Sequence, residues 1–312
     1  MKLYLLLPLA FTIGCSSVKT SNLPSRSDQL LTDVKILSSD TFEGRKTGTK
    51  GAELARNYIG KRFKEIGLKS FPLLNSYHQA FTFAGIDDPK IAGKNMIGYI
   101  PGASSKIIVI SAHYDHLGII NGKIFNGADD NASGVAGMLK IAAHYAKNKP
   151  NYTLIFAAFD AEEFGRKGSE YFVNHLPVDI KRIKLNLNLD MISHNDKGEL
   201  YASGTYKNPQ LKNYIATTIP DLKILFGHDN PKLGIDDWTN QSDQSAFNDK
   251  NIPFIYFGVE DHKDYHKSTD TFENINQEFF INAANGILEI TDNFDNDRNV
   301  EKIFRQKLQS RR

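Results

Sequence analysis

The sequence predicts an α/β fold with a mixed, mostly parallel central sheet flanked by helices on both faces. Two observations predict it. Four apolar runs, Ile107 to Ala112, Thr153 to Phe159, Leu185 to Leu189 and Phe254 to Val259, have the length and composition of buried strands. Helical patterns lie between them, and strands alternating with helices give a sheet covered on both sides. With 312 residues, 40% hydrophobic and 24% charged, the chain carries enough apolar side chain for a sizeable core.

In chain order, Met1-Lys2 is a short basic start, Leu3 to Ile13 is almost wholly apolar, and Gly14-Cys15 follows with small polar residues. The apolar run is too short to span a bilayer and is expected to be a secretory signal. Its end resembles the lipobox of bacterial lipoproteins, with Thr12 where leucine is more usual. That resemblance implies cleavage, acylation of Cys15 and an extracytoplasmic, lipid-anchored protein; a plain signal cut elsewhere is the alternative. Residues 16–28 are polar and short-chained, as in a tether. No repeat and no Pro/Gly-rich linker divides the rest, so residues 29–312 are expected to form one domain.

Within that domain, Ala52, Ala55, Tyr58, Ile59, Phe63 and Ile66 recur at helical spacing and Gly67 supplies a stop. Residues 84–105 are punctuated by Gly and Pro and are expected to be a turn or hairpin region. Val135, Met138, Leu139 and Ala142 place a second helix over Ser133 to Tyr145. Cys15 is the only cysteine, so the domain has no internal disulfide and no thiolate ligand or nucleophile. The net charge of +2, from 38 basic and 36 acidic residues, lacks the basic excess of a nucleic-acid-binding protein.

In open α/β sheets the site lies outside the carboxyl ends of the strands. Here each predicted strand runs into acidic or imidazole side chains: His113, Asp115 and His116, then Asp160, Glu162 and Glu163, then Asp190, then Asp261, His262, Asp264 and His266. Four such ends in succession point to a shared metal site. His113 and Asp115 project to one side because strand side chains alternate; one can bind a cation while the other lies behind it, and a structural histidine is the competing reading. In Asn126-Gly-Ala-Asp-Asp-Asn-Ala-Ser-Gly134, two carboxylates precede an apolar helix. A helix N-cap explains one of them; a bridge between two cations explains the other. The adjacent Glu162 and Glu163 are costly after a buried strand unless paired or metal-bound. Their side chains diverge in a non-helical segment, so one can ligate while the other acts as general base. Asp190 interrupts an apolar pattern in Asn188-Leu-Asp-Met-Ile192, and His266 stands in Asp264-Tyr-His-Lys-Ser-Thr-Asp-Thr271.

These segments, in this order, together with Phe42-Glu-Gly-Arg-Lys-Thr-Gly48, resemble the co-catalytic zinc aminopeptidase family, which also includes glutamate carboxypeptidases and, more distantly, glutaminyl cyclases. The resemblance covers most of residues 30–275 and implies the three-layer sandwich of zinc exopeptidases. It implies two zinc ions per chain: His113 and Asp190 on one, Glu163 and His266 on the other, with Asp130 bridging. Glu162 is implied as general base, Asp115 as the partner behind His113, and Tyr265 as a donor to the tetrahedral oxyanion. Asp129 matches a position that is not a ligand. Gln244, in Ser242-Asp-Gln-Ser-Ala-Phe247, stands where the family usually has histidine, which bears on substrate preference rather than on metal binding.

Two metal ions about 3.5–4 Å apart can share a water, lower its pKa and hold the substrate carbonyl. The resemblance implies removal of N-terminal residues from peptides as the activity. A glutaminyl cyclase, a carboxypeptidase or a dipeptidase is the enzymatic alternative, and a binding lipoprotein on a degenerate scaffold is the non-enzymatic one. The expected partners are peptide substrates, with no nucleic acid and membrane contact only through the lipid anchor. No inserted apical domain is apparent, and a monomer is expected. His116, His144, His175, His194, His228, His262 and His78 receive no metal role.

Overall fold

The computed structural model describes residues 26–74, 76–85 and 88–297. The signal segment, most of the tether and residues 298–312 lie outside the described residues, and the tether's last three residues belong instead to the first helix, α1 (Arg26–Leu37). The strands of the main sheet are β1 (His78–Phe83), β2 (Ile91–Ile100), β3 (Ile107–His113), β6 (Thr153–Phe159), β7 (Ile183–Leu189), β8 (Glu199–Ser203), β9 (Lys223–Leu225) and β10 (Phe254–Gly258). A small hairpin, β4 (Gly118–Ile120) and β5 (Lys123–Phe125), stands apart. The order across the main sheet is β1-β2-β6-β3-β7-β10-β8-β9. Its centre, β6-β3-β7-β10, is parallel throughout, and antiparallel pairs join β1 to β2, β2 to β6 and β10 to β8.

The four apolar runs are these four central strands, and every residue of β3, β6 and β10 is buried. Side-chain alternation divides them between two cores. Ile108, Ile110, Leu154 and Phe156 face one side, against α1, α2 (Lys50–Ile66), α3 (Gly134–Tyr145) and α6 (Gln277–Asn296). Val109, Ile155 and Phe159 face the other, against Phe172 of α4 (Lys167–Asn174) and Phe247 of α5 (Gln244–Asp249). The result is the expected three-layer sandwich. Helix α2 follows its sequence signals: the Thr49 hydroxyl accepts from the Ala52 amide, and Gly67 closes the helix at φ 90° with its N–H on the carbonyls of Phe63 and Lys64.

The stretch 84–105 differs from expectation. Ten of its residues form β2, which pairs with β1 on one side and β6 on the other. Gly93 and Gly98 break the apolar alternation, yet both are needed for packing. A Cβ on Gly93 would lie 2.4 Å from the Phe81 ring, and one on Gly98 would lie 2.7 Å from Leu68. Among the described residues no helix is long and apolar enough to cross a membrane.

Candidate metal centre

The loops that leave β3, β6, β7 and β10 at one end of the parallel sheet converge on a cavity of about 250 Å³. His113, Asp130, Glu162, Glu163, Asp190, Tyr265 and His266 all line it, together with Met191, Trp238, Tyr256 and Asp261. Of the eight residues singled out from sequence, only Asp115 does not line it. A cleft of about 700 Å³ bounded by residues of α1, α2, α3 and α6 holds none of the metal-binding clusters found among the described residues.

Asp130 lies at the middle. One carboxylate oxygen, Oδ1, is 3.3 Å from His113 Nε2, which is itself 3.2 Å from Asp190 Oδ1. The other, Oδ2, is 3.1 Å from His266 Nε2, which is 3.5 Å from Glu163 Oε2. Donor atoms sharing a tetrahedral zinc at 2.0–2.2 Å lie about 3.3–3.5 Å apart. The two sets therefore have the spacing and the chemistry of divalent-cation sites, with imidazole nitrogen and carboxylate oxygen and no sulfur.

Local structure explains how these side chains are aimed. Gly127 takes φ 58°, and a Cβ there would meet the Asp130 carbonyl at 2.1 Å. Asp270 accepts the amides of Asp129 and Asp130 at 2.9 and 3.0 Å, fixing the turn that carries the central carboxylate. Asp129 does not reach the cavity; it accepts from the Ser193 amide and hydroxyl and sits 2.9 Å from His262 Nε2. The Asn131 side chain donates to the Leu189 carbonyl and accepts from the Gly134 and Met191 amides, tying α3 to the end of β7 on both sides of Asp190. Asp115 lies behind His113, but its carboxylate is 3.7 Å from Nδ1, whose nearer partner is the Asp115 carbonyl at 3.2 Å. That carboxylate accepts the Glu162 and Glu163 amides at 3.0 and 3.3 Å, so it orients the glutamate pair as well as the imidazole.

Three further residues received no role from sequence. Arg45 is fully buried and donates to the carbonyls of Leu37, Tyr114, Asn126 and Gly127, joining the exit of β3 to the Asp130 turn. Thr47 places its hydroxyl between Asp160, at 2.7 Å, and Asp115, at 3.3 Å. His116 stands 2.9 Å from Glu163 Oε1 through Nδ1, and its Nε2 is buried with no hydrogen-bond partner among the described residues. His116, Asp130 and Glu163 thus form an alternative triad to the one with His266. His266 is the better placed ligand because it faces both Asp130 Oδ2 and Glu163 Oε2, whereas His116 is 3.6 Å from Asp130 and hydrogen-bonds the other oxygen of Glu163. Gln244, the departure from the family pattern, is buried away from the cavity, where it accepts from Asn188 and donates to the Trp238 carbonyl. A third cluster, His194, His262 and Asp264, lies on the loops beyond β7 and β10.

The charges respond to this crowding. Burial pushes Glu162 well above the usual carboxyl range; His113 opposes this, and Asp243, Asp190 and Glu163 add to it. Burial disfavours charge on His266, yet Asp130 and Glu163 outweigh it and raise the imidazole to about 10. Burial opposes and Asp190, Asp115 and Asp130 overcome it at His113, which is raised well above its usual value. Burial raises Tyr265, beside Asp130 and Asp190. Its ring stacks on His266 at 4.0 Å, and its hydroxyl has no hydrogen-bond partner among the described residues.

Comparison with known proteins agrees with this geometry. The alkaline phosphatase isozyme conversion protein of Escherichia coli (strain K12) is 28% identical over 183 residues, covering 54% of this chain and 52% of that protein. Leucine aminopeptidase 2 of Trichophyton rubrum is 30% identical over 210 residues, covering 58% of this chain and 41% of that protein. The chain therefore spans about half the length of these curated relatives. Among solved structures, glutaminyl cyclase of Porphyromonas gingivalis superposes with a TM-score of 0.70 at 16% identity, covering 85% of this chain and 97% of that one, a likeness of fold. Residues 95–291, from within β2 into α6, match peptidase family M28, and since that match takes in more than half of the chain and every residue converging on the cavity, the chain belongs to that family.

Proposed function

We propose that this chain is a two-zinc aminopeptidase that removes the N-terminal residue of peptides. The observation that carries the reading is Asp130, whose two oxygens face two separate imidazole–carboxylate sets. In this reading His113 and Asp190 would hold one ion, Glu163 and His266 would hold the other, and Asp130 would be shared between them. A donor set of oxygen and nitrogen suits catalytic zinc that keeps a position open. Bound ions would polarise the scissile carbonyl and lower the pKa of the attacking water.

The chain's own groups do the rest. Glu162 takes the water's proton and passes it to the departing amine. Its amide is pinned by Asp115, and burial raises its carboxyl, which favours uptake of the water's proton in the first step and leaves an acid to deliver it to the amine in the second. The Tyr265 hydroxyl donates to the developing oxyanion, a contact worth about 2.7–4 kcal/mol in comparable sites. Asp190 and Asp261 line the same cavity and offer negative charge to the α-ammonium of the substrate, which favours an exopeptidase.

A panel of aminoacyl chromogenic substrates with and without chelator tests the reading. Leucyl and related substrates should be cleaved, chelator should abolish cleavage, zinc should restore it, and N-acetylation of the substrate should block it. Cyclisation of an N-terminal glutaminyl peptide without leucyl hydrolysis would overturn the assignment in favour of a cyclase. The extracytoplasmic, lipid-anchored placement is proposed from Leu3 to Ile13 and Cys15 alone; palmitate labelling that disappears in Cys15→Ala checks it. A monomer is proposed, to be checked by light scattering.

A further inference from the structure

Arg166 lines the catalytic cavity and is the only lysine or arginine among the described residues that does. Every other charged side chain on the cavity wall is an acid or one of the two imidazoles assigned as ligands: Asp130, Glu162, Glu163, Asp190, Asp261, His113 and His266. With so many carboxylates close by, a guanidinium would be expected to pair with one. It does not. Arg166 makes no side-chain hydrogen bond or ion pair to any described residue, and its Nε is closed off from solvent with no partner. The side chain as a whole is half-buried, but a buried Nε–H without a partner is costly, and in a substrate cavity the missing partner is naturally an anion that arrives with the substrate.

The backbone holds this side chain in place by local bonds. Arg166 adopts φ 62° immediately before α4, its amide donates to the Glu162 carbonyl at 2.8 Å, and its own carbonyl accepts from the Ser169 hydroxyl at 3.1 Å. The backbone from which the cation projects is therefore fixed to the loop that presents Glu162 and Glu163.

Position across the sheet indicates which end of the substrate it meets. Arg166 follows β6, Asp190 follows β7 and Asp261 follows β10, in the sheet order β6-β3-β7-β10. Strands β6 and β10 are three spacings apart, about 14 Å at 4.7–4.9 Å each. A two-residue peptide spans about 7 Å when extended, and the arginine and aspartate side chains reach inward over the remainder. The cavity volume of about 250 Å³ lies below the roughly 300–1,000 Å³ typical of ligand pockets. Such a space suits one or two residues whose ammonium meets the acids at one end and whose anion meets the guanidinium at the other.

We propose that Arg166 forms a carboxylate-binding subsite for the residue after the scissile bond. The subsite favours peptides that present a carboxylate there: the free C-terminus of a dipeptide, or an acidic side chain in a longer substrate. The proposal rests on the exopeptidase reading of this cavity and names its substrate class. A guanidinium matches a carboxylate with two parallel N–H···O bonds, so lysine is an incomplete replacement.

The test compares kcat/KM for Leu-Gly with Leu-Gly-amide, and for Leu-Asp-amide with Leu-Asn-amide, in the wild type and in Arg166→Met and Arg166→Lys. Binding of the same four peptides to the zinc-loaded Glu162→Ala protein, with and without Arg166→Met, is measured by calorimetry. The wild type should prefer at least one acid over its neutral counterpart by about tenfold or more. Arg166→Met should erase that preference in both cleavage and binding, and Arg166→Lys should retain part of it. Loss confined to the Leu-Gly pair assigns the subsite to the α-carboxylate; loss confined to the Leu-Asp pair assigns it to an acidic side chain. Acid-to-amide ratios unchanged by Arg166→Met, with cleavage intact, would overturn the subsite and leave the peptidase reading standing. Failure to cleave any of the four, or any aminoacyl substrate, would overturn the peptidase reading itself.

Discussion

Zinc loading of the metal-free protein should release protons, and the apparent affinity should climb steeply with pH. The raised imidazoles supply the reason. His266 is lifted to about 10 and His113 well above its usual value, so both are protonated at neutral pH without metal. The carboxylates facing them are ionised: burial opposes this at Asp130 and Glu163, and the neighbouring imidazoles overcome it. An imidazole must give up its proton to ligate a metal. About two protons should therefore leave with two ions at pH 7. The His266 ring is 39% exposed, so solvent screens part of its shift. The slope survives that discount, because any metal-free pKa above the measured window gives about one decade of affinity per pH unit for each imidazole proton displaced. Calorimetric titration at pH 7 in buffers of low and high ionisation enthalpy counts the protons, and competition with a chromogenic chelator from pH 6 to pH 8 gives the slope. Release of less than one proton, or affinity flat across that range, would refute the displacement of protons from raised His113 and His266 imidazoles.

Three other outcomes follow from the same geometry. Glu162→Ala should keep its zinc while kcat falls by about 10²–10⁴-fold, whereas His266→Ala should lose metal; two zincs per chain in both variants by elemental analysis would show the ligand set to be wrong. Arg45→Lys cannot serve the four carbonyls that Arg45 now holds, and should cost about 2–4 kcal/mol in denaturant unfolding, with weakened zinc binding because the Asp130 turn loosens; unchanged stability would remove Arg45 from that role. The metal-free protein should also lose stability as pH rises. Contacts of protonated His266 with Asp130 and Glu163 are fully present below its unfolded pKa of about 6.5 and disappear as pH passes through about 10, so melting temperature should fall across that interval, and a constant one would contradict the raised imidazole.

β3, β6 and β10 were legible because strands buried on both faces of a parallel sheet are mainly apolar, while β7 alternates leucine with Asn186 and Asn188, which are buried and hydrogen-bond Ser111 and Gln244. β2 was not legible as a strand, since Gly93, Lys94, Asn95 and Gly98 spoil the pattern. The reasons for those residues are tertiary: Asn95 hydrogen-bonds Gln79 and the Gly168 carbonyl, and the glycines make room for Phe81 and Leu68. The acid and imidazole residues lining the cavity were readable because most of them follow strand ends, whereas Arg166, which lines it too, was not. Their supports were not. Asp270 lies 140 residues from the amide it holds at Asp130, Arg45 lies 81 residues from Asn126, and Thr47 lies 113 residues from Asp160. A lone aspartate, arginine or threonine in a loop carries no local signal of such a partner.

What the sequence determined by itself was the alternation of strand and helix, the strand ends that bear acid and imidazole, and the chemistry those groups can perform, because periodicity and ligand type are properties of short segments. Only the tertiary structure decided that Asp130 faces both imidazole sets, that Asp115 spends its carboxylate mainly on the amides of Glu162 and Glu163, that Gln244 is a buried brace, and that Arg166 shares the cavity without a side-chain partner among the described residues. Those outcomes depend on distances between loops far apart in the chain, and such distances are set by how strands stack side by side in the sheet, which no local pattern records.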